Sequence, residues 1–179
     1  MIAQGLQPTI FTIGHSTRTL EELVRLLRCH EIERLVDIRT IPRSWHNPQF
    51  NREQLPESLG RWGIGYVHIK ELGGLRHPTP DSPNAGWRNR SFRGFADYMQ
   101  TDEFHRGLRR LIDMAREHRV AIMCAEAAPW RCHRSLVADA LTGAGVNVEH
   151  ILGTDNCRKH SVTPFARVEG EKVCYPAQE

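Results

Sequence analysis

The densest group of chemically capable side chains runs Cys124-Ala125-Glu126-Ala127-Ala128-Pro129-Trp130-Arg131-Cys132-His133-Arg134-Ser135. Thiol, carboxylate, imidazole and guanidinium groups together supply a nucleophile, an acid or base, and an anion clamp. In that reading Cys124 or Cys132 attacks, Glu126 or His133 moves the proton, and Arg131 and Arg134 hold an anionic ligand. The stretch follows an apolar run and leads into a helical pattern. Its end is therefore a helix N-terminus, where unpaired N–H groups and partial positive charge favour an oxyanion and lower the pKa of a nearby thiol. The same stretch also reads as structure, with Cys124 a small buried core residue and Arg134 a surface cation.

A second reading makes Cys124, Glu126, Cys132 and His133 ligands of zinc or iron, with His15 and His68 able to complete a site from neighbouring loops. The spacing argues against it. Seven residues separate the two Cys, and no second Cys-x-x-Cys pair follows. Nucleotide binding has no specific support, because neither a Walker pattern nor Gly-x-Gly-x-x-Gly occurs, and the sequence names no cofactor.

Two further segments offer groups to the same chemistry. Gly14-His15-Ser16 supplies an imidazole that titrates near neutral pH and a hydroxyl. Asp37-Ile38-Arg39 with Pro42-Arg43-Ser44 puts an acid inside a strand and guanidinium groups beyond its end. Arg39 and Arg43 can grip a carboxylate or phosphate through paired hydrogen bonds, or Arg39 can simply neutralise Asp37. A rival function is a non-catalytic module that binds nucleic acid or a nucleotide. Trp45, Trp87 and Trp130, all in loop-like segments, would then be stacking surfaces; otherwise they cap the core.

These residues need a frame, and hydrophobic periodicity supplies one. Pro8–Ile13, Leu35–Arg39, Gly65–Ile69, Val120–Cys124 and Val146–Leu152 read as short buried strands, rich in β-branched residues. Thr19 with Glu22 forms a capping box, and Leu20, Leu23, Val24 and Leu27 follow at helical spacing to His30. A weaker helical segment spans Asn51 to Trp62, its start blurred by Pro56. Phe92, Phe95, Tyr98 and Met99 form one helical stripe. After the Thr101 cap, Phe104, Leu108, Leu111, Ile112 and Ala115 form another. Ser135 to Ala144 is a helix ended by Gly145, whereas Glu71 to Asn89 is a long loop, a length that is commonly functional.

Alternating strands and helices predict an α/β fold of three layers, a mainly parallel sheet of about five strands with helices on both faces. Ligands bind such sheets at the carboxyl ends of the strands, where His15, Ser16, Arg39, Arg43 and the stretch from Cys124 all fall. Residues 153–179 form an irregular tail in which Phe165–Val168 and Lys172–Tyr175 pair as a hairpin around Glu169-Gly170.

Composition agrees with one domain. A chain of 179 residues, 40% hydrophobic and 25% charged, is of the size and make-up of a single soluble globule and excludes collagen-like and disordered classes. No apolar run is long enough to span a bilayer, so no membrane partner is expected. Net charge +3 and a pI near 8.7 permit a small anionic ligand but fall short of the excess typical of a dedicated nucleic-acid binder. An odd count of five Cys and an N-terminus without a basic start or apolar stretch point to reduced thiols and the cytoplasm.

The order of these motifs resembles the domain of unknown function 488 family over Thr9 to Ile151. The residues carrying the likeness are Thr12-Ile13-Gly14-His15-Ser16, Val36-Asp37-Ile38-Arg39 with Pro42-Arg43-Ser44, Leu72-Gly73-Gly74, Gly94–Met99, and Cys124-Ala125-Glu126 with Pro129 and Cys132-His133-Arg134. The resemblance implies a small bacterial or archaeal α/β protein and no particular activity. A looser likeness is to rhodanese and cysteine-phosphatase domains, in which a strand ends in a catalytic Cys. The phosphatase pattern places five residues between Cys and Arg, whereas six lie between Cys124 and Arg131.

Overall fold

The computed structural model describes residues 7–179, so the leading residues weighed above for targeting signals lie, through residue 6, outside it. Strands β1 (Thr9–Gly14), β2 (Arg34–Asp37), β3 (Gly65–His68), β4 (Val120–Cys124) and β5 (Asn147–Gly153) are parallel, and β6 (Asn156–Lys159) returns antiparallel to β5. Their order across the sheet is β3-β2-β4-β1-β5-β6. Helices α1 (Leu20–Cys29), α2 (Leu55–Gly60), α3 (Arg90–Tyr98), α4 (Asp102–Glu117) and α5 (Arg134–Gly143) cover it.

The two-residue period of the strands divides the core in two. Ile10, Val36, Val120 and Ile122 point to one face and pack with Phe95, Phe104, Leu108 and Leu136 of α3, α4 and α5. Phe11, Ile13, Leu35, Ala121 and Met123 point to the other and pack with Leu23, Val24 and Leu27 of α1 and Leu55 and Leu59 of α2. Helices thus lie on both faces, the three-layer arrangement expected from alternation.

Local chemistry fixes the helix ends. The Thr19 side chain accepts from the Glu22 N–H while Glu22 accepts from the Thr19 N–H, completing the capping box. Thr101 caps α4 in the same way through the Phe104 N–H. Pro56 sits in the first turn of α2, where its missing N–H is not needed, so that helix is shorter than the Asn51–Trp62 reading. The 71–89 loop is irregular after the short 3-10 turn Lys70–Leu72. It is held down by Asp97 of α3, whose carboxylate accepts from the Thr79 N–H and hydroxyl, Ser82 Oγ and Asn84 Nδ2.

Beyond Gly153 the structure adds to the sequence reading. The hairpin forms, as β7 (Arg167–Glu169) and β8 (Lys172–Cys174), with Gly170 at φ +61 in its turn. Residues 156–159, read as part of a tail, instead form β6 and bring the sheet to six strands. This edge strand is Asn-Cys-Arg-Lys, short and polar, and carries no apolar period to betray it.

A buried polar chain ties this region to the sheet. Thr12 Oγ1 lies 2.6 Å from His150 Nδ1, His150 Nε2 2.9 Å from His160 Nδ1, and His160 Nε2 2.7 Å from Asp139 Oδ1. Asp139 also accepts from the Tyr175 hydroxyl at 2.7 Å. Burial, reinforced by the neighbouring His160, pushes the pKa of His150 down to about 3. His150 thus stays neutral in the fold, whereas the unfolded chain takes up a proton there near pH 6.5. Stability should therefore fall as pH drops from about 6.5 towards 3, by up to about 1.4 kcal/mol per pH unit from this group. Urea unfolding across that range checks it, and His150→Gln, which cannot be protonated, should show a shallower slope.

Candidate functional site

The crossovers decide where a site can form. The connections β1 to β2 and β2 to β3 run one way along the sheet with α1 and α2 on one face. Those from β3 to β4 and β4 to β5 run the other way with α3, α4 and α5 on the opposite face. At its carboxyl end β4 therefore departs to one face while its neighbours β1 and β2 depart to the other. That divergence opens the crevice in which α/β sheets hold ligands.

Cys124 ends β4 inside this crevice, and the β1 loop fixes its direction. The His15 N–H donates to the Cys124 carbonyl at 2.9 Å and the Ser16 N–H to that of Ala125 at 2.8 Å. Gly14 is required beneath this crossing, because a Cβ there would lie 2.0 Å from the Glu126 carbonyl oxygen. A cavity of about 410 Å³ results. It is lined by eight of the ten candidate residues: His15, Arg39, Arg43, Cys124, Glu126, Arg131, Cys132 and His133. Ser16 does not line it, and Arg134 lies buried behind.

His133 has a defined proton arrangement. Its Nε2 lies 3.0 Å from the Leu72 carbonyl and 3.3 Å from that of Ile38, and a carbonyl can only accept, so Nε2 carries the hydrogen. Nδ1 then turns its lone pair to Cys132 Sγ at 3.6 Å and Cys124 Sγ at 3.9 Å. The Phe95 ring meets the imidazole edge-on, with centroids 5.0 Å apart. The two sulfurs and Nδ1 lie within 4.8 Å of one another.

The two thiols are driven apart in acidity. The neighbouring Cys132 thiol, aided by His133 and Arg134, holds Cys124 well below the usual thiol range despite burial. Cys132, 4% exposed, is pushed up by the Cys124 sulfur beside it and by burial. Arg134 is 1% exposed, and the single hydrogen bond of its guanidinium goes from Nη2 to the Ala127 carbonyl at 3.2 Å. Its Nε and Nη1 have no partner among the described residues. With Cys132 holding its proton, the Cys124 thiolate is the sulfur whose negative charge acts on it.

His15 and Arg39 serve the wall more than the chemistry. The His15 Nδ1–H donates to the Ser16 carbonyl at 2.8 Å, and its Nε2 accepts from Arg39 Nη1 at 3.3 Å. Both nitrogens are engaged, the ring stacks on Phe50, and burial holds its pKa below the ordinary histidine value. Arg39 donates to both oxygens of Asp37, at 2.9 and 2.7 Å, and to the Phe50 carbonyl at 2.6 Å. With His15 this engages four of its five N–H groups, which leaves one on Nη1. Arg43 is exposed at the rim, paired with Glu53 at 2.6 Å, and Glu126 and Arg131 are exposed on the loop.

Part of the cavity rim is apolar. Ile41 and Leu75, 63% and 69% exposed, form an apolar lip to the cavity, and Trp45, next in the chain to the lining residue Ser44, is 95% exposed. Trp130 is also exposed, so only Trp87, packed edge-on against Phe92 and Phe165, caps the core. Gly74 lies directly against the catalytic imidazole candidate: a Cβ there would stand 2.6 Å from His133 Cγ and Nδ1. Gly74→Ala should therefore displace the ring and slow alkylation of Cys124 several-fold with little loss of fold. Gly60→Ala, where nothing lies within 4 Å, should leave the thiol unchanged. The Gly73-Gly74 pair in a long loop was the available signal for this contact.

Compared with known protein families, the chain matches the one described as Domain of unknown function DUF488, over residues 19–141. The match runs from the cap of α1 into α5 and includes the stretch from Cys124 to Arg134. No curated protein and no solved structure matches the chain, and the looser likeness to rhodaneses and cysteine phosphatases has no counterpart in these findings. No helix among the described residues is long and apolar enough to cross a membrane.

Proposed function

For this chain, which belongs to the domain of unknown function DUF488 family, we propose a thiol-dependent transferase or hydrolase activity on a small anionic substrate, with Cys124 as nucleophile. His133 takes the proton of Cys124 on Nδ1, and its Nε2–H, bonded to two carbonyls, steadies the imidazolium that results. The sulfur then bonds to the electrophilic centre of the substrate, and the leaving group collects the proton from His133. Arg43, Arg131 and the remaining N–H of Arg39 surround the cavity and suit a carboxylate or phosphate. Glu126, on the same loop, is available as the base for a second half-reaction.

The single observation that carries this reading is Arg134. A guanidinium buried without a carboxylate partner is costly unless an anion lies nearby, and the Cys124 thiolate provides one. Iodoacetamide labelling followed by peptide mapping tests it between about pH 5 and 9. Cys124 should be alkylated first, well below the pH at which exposed Cys29 reacts. Equal rates for the two across that range would count decisively against the proposal.

A metal-binding reading draws on one specific observation, the Cys124, Cys132 and His133 ligand atoms gathered within 4.8 Å. The sulfur-to-nitrogen distances of 3.6 and 3.9 Å are near the edge of about 3.6 Å that a tetrahedral zinc site with these donors requires. The carbonyl bonds to Nε2 are those a metal-bound imidazole commonly makes. Spacing argued against this site because it counts residues along the chain, whereas the fold brings a strand end to a helix start. Zinc or iron at one equivalent in purified protein, lost in Cys132→Ser, would favour this reading over the free thiolate.

A further inference from the structure

A second cavity, also about 410 Å³, lies on the other side of the Glu126–Cys132 loop, where it is walled by Pro129 and Trp130 of that loop. It shares no lining residue with the first. Its remaining walls come from Trp87 and Phe165, from the β5–β6 pair, and from the 161–165 segment. From these features we infer a binding site for a planar aromatic anion of the nucleoside monophosphate kind.

Three observations carry the inference. The first is aromatic surface: Trp130 is 62% exposed at the mouth, and Trp87 and Phe165 meet edge-on at 4.9 Å deeper in. A planar ring entering the cavity gains stacking on Trp130, to which no other aromatic ring among the described residues is paired. The second is charge. Arg158 pairs across from His150, so their side chains share one face of the sheet, and no Asp or Glu lines the cavity. The third is an orphaned donor: Trp87 Nε1–H is buried without a partner among the described residues. Native buried donors are rarely left unmade, and Trp87 lines this cavity, so a small shift of its wall would let a ligand acceptor satisfy the indole.

The floor is rigid and already satisfied. His150 and His160 are bonded to Thr12, to each other and to Asp139, so the anion is left to Arg158 and to the rim groups Lys159, Ser161 and Thr163. Protection of an edge strand accounts for a charged Arg158, but not for the aromatic walls facing it. The volume falls within the range of small-ligand pockets.

Adenosine 5′-monophosphate titrated into the ¹⁵N-labelled full chain tests this through the indole N–H signals, each assigned with a Trp→Phe variant. Those of Trp87 and Trp130 should move together while those of Trp45 and Trp62 stay fixed. Arg158→Glu should weaken the measured affinity by roughly tenfold or more, the scale of one charge-assisted contact, with the unchanged spectrum reporting the fold. Ribose 5-phosphate, which has the anion and no aromatic ring, should bind at least about tenfold more weakly. Unmoved Trp87 and Trp130 signals at millimolar ligand would overturn the inference, as would equal affinity in Arg158→Glu or equal affinity for ribose 5-phosphate. Movement of Trp45 alone would put the ligand at the first cavity and also overturn it. None of these readouts involves the Cys124 thiol, so they stand or fall apart from its labelling.

Discussion

Arg134→Met is expected to slow alkylation of Cys124 at neutral pH by roughly tenfold or more, without unfolding the protein. Methionine keeps an unbranched apolar stem but ends short of the guanidinium carbon, so most of the volume at the head of α5 stays filled. What disappears is the buried positive charge that favours the thiolate over the thiol. The guanidinium makes one hydrogen bond, to Ala127, and leaves two nitrogens unpartnered, so its removal takes little from the folded state. Thermal stability should be unchanged or higher, since a desolvated cation is replaced by apolar packing. The paired measurements are the alkylation rate against pH and the melting temperature. A rate profile identical to that of the unaltered protein would show that Arg134 does not act on the thiol.

Asp37→Ala should have the opposite balance, with a large loss of stability, about 3–5 kcal/mol, because one partner of a buried ion pair is left alone. Arg39 and Asp37 are 6% and 0% exposed, and the carboxylate also accepts from the Tyr66 hydroxyl at 2.6 Å and the Arg39 N–H at 3.1 Å. Without it the guanidinium is released from its fork, the His15 ring loses the donor on Nε2, and the β2 side of the cavity loosens. Urea denaturation reads the loss. The paired change Asp37→Leu with Arg39→Met should recover most of it, because no uncompensated charge then remains, yet should not restore ligand binding in the cavity. A single variant as stable as the parent would mean that the pair contributes nothing to the folded state.

Much of the frame was written in local sequence. The short apolar runs of β1 and β4, the capping box at Thr19 and Glu22, and the helical stripes of α3 and α4 are short-range patterns. The physical cause of each, burial on a pleat or a missing N–H partner, lies within a few residues. Once those elements alternate, parallel pairing and crossovers of one hand follow, and the site must fall at the carboxyl ends of the strands. Eight of the residues that line the cavity fall there on that placement alone.

Tertiary structure decided what those residues are to one another. That the lone pair of His133 faces two sulfurs depends on carbonyls of Ile38 and Leu72, 95 and 61 positions away. Arg134, which reads on its own as a surface cation, is among the most buried side chains in the molecule because α5 is covered on nearly every side. His15, an available base by type, has both nitrogens engaged once Arg39 arrives from β2. The strand at residues 156–159 pairs only because β5 offers it an edge. Residue type and spacing report which groups a chain owns and where regular structure begins and ends. Proton position, desolvation and pairing of charge depend on distant segments meeting in space, and they arise only when the sheet closes.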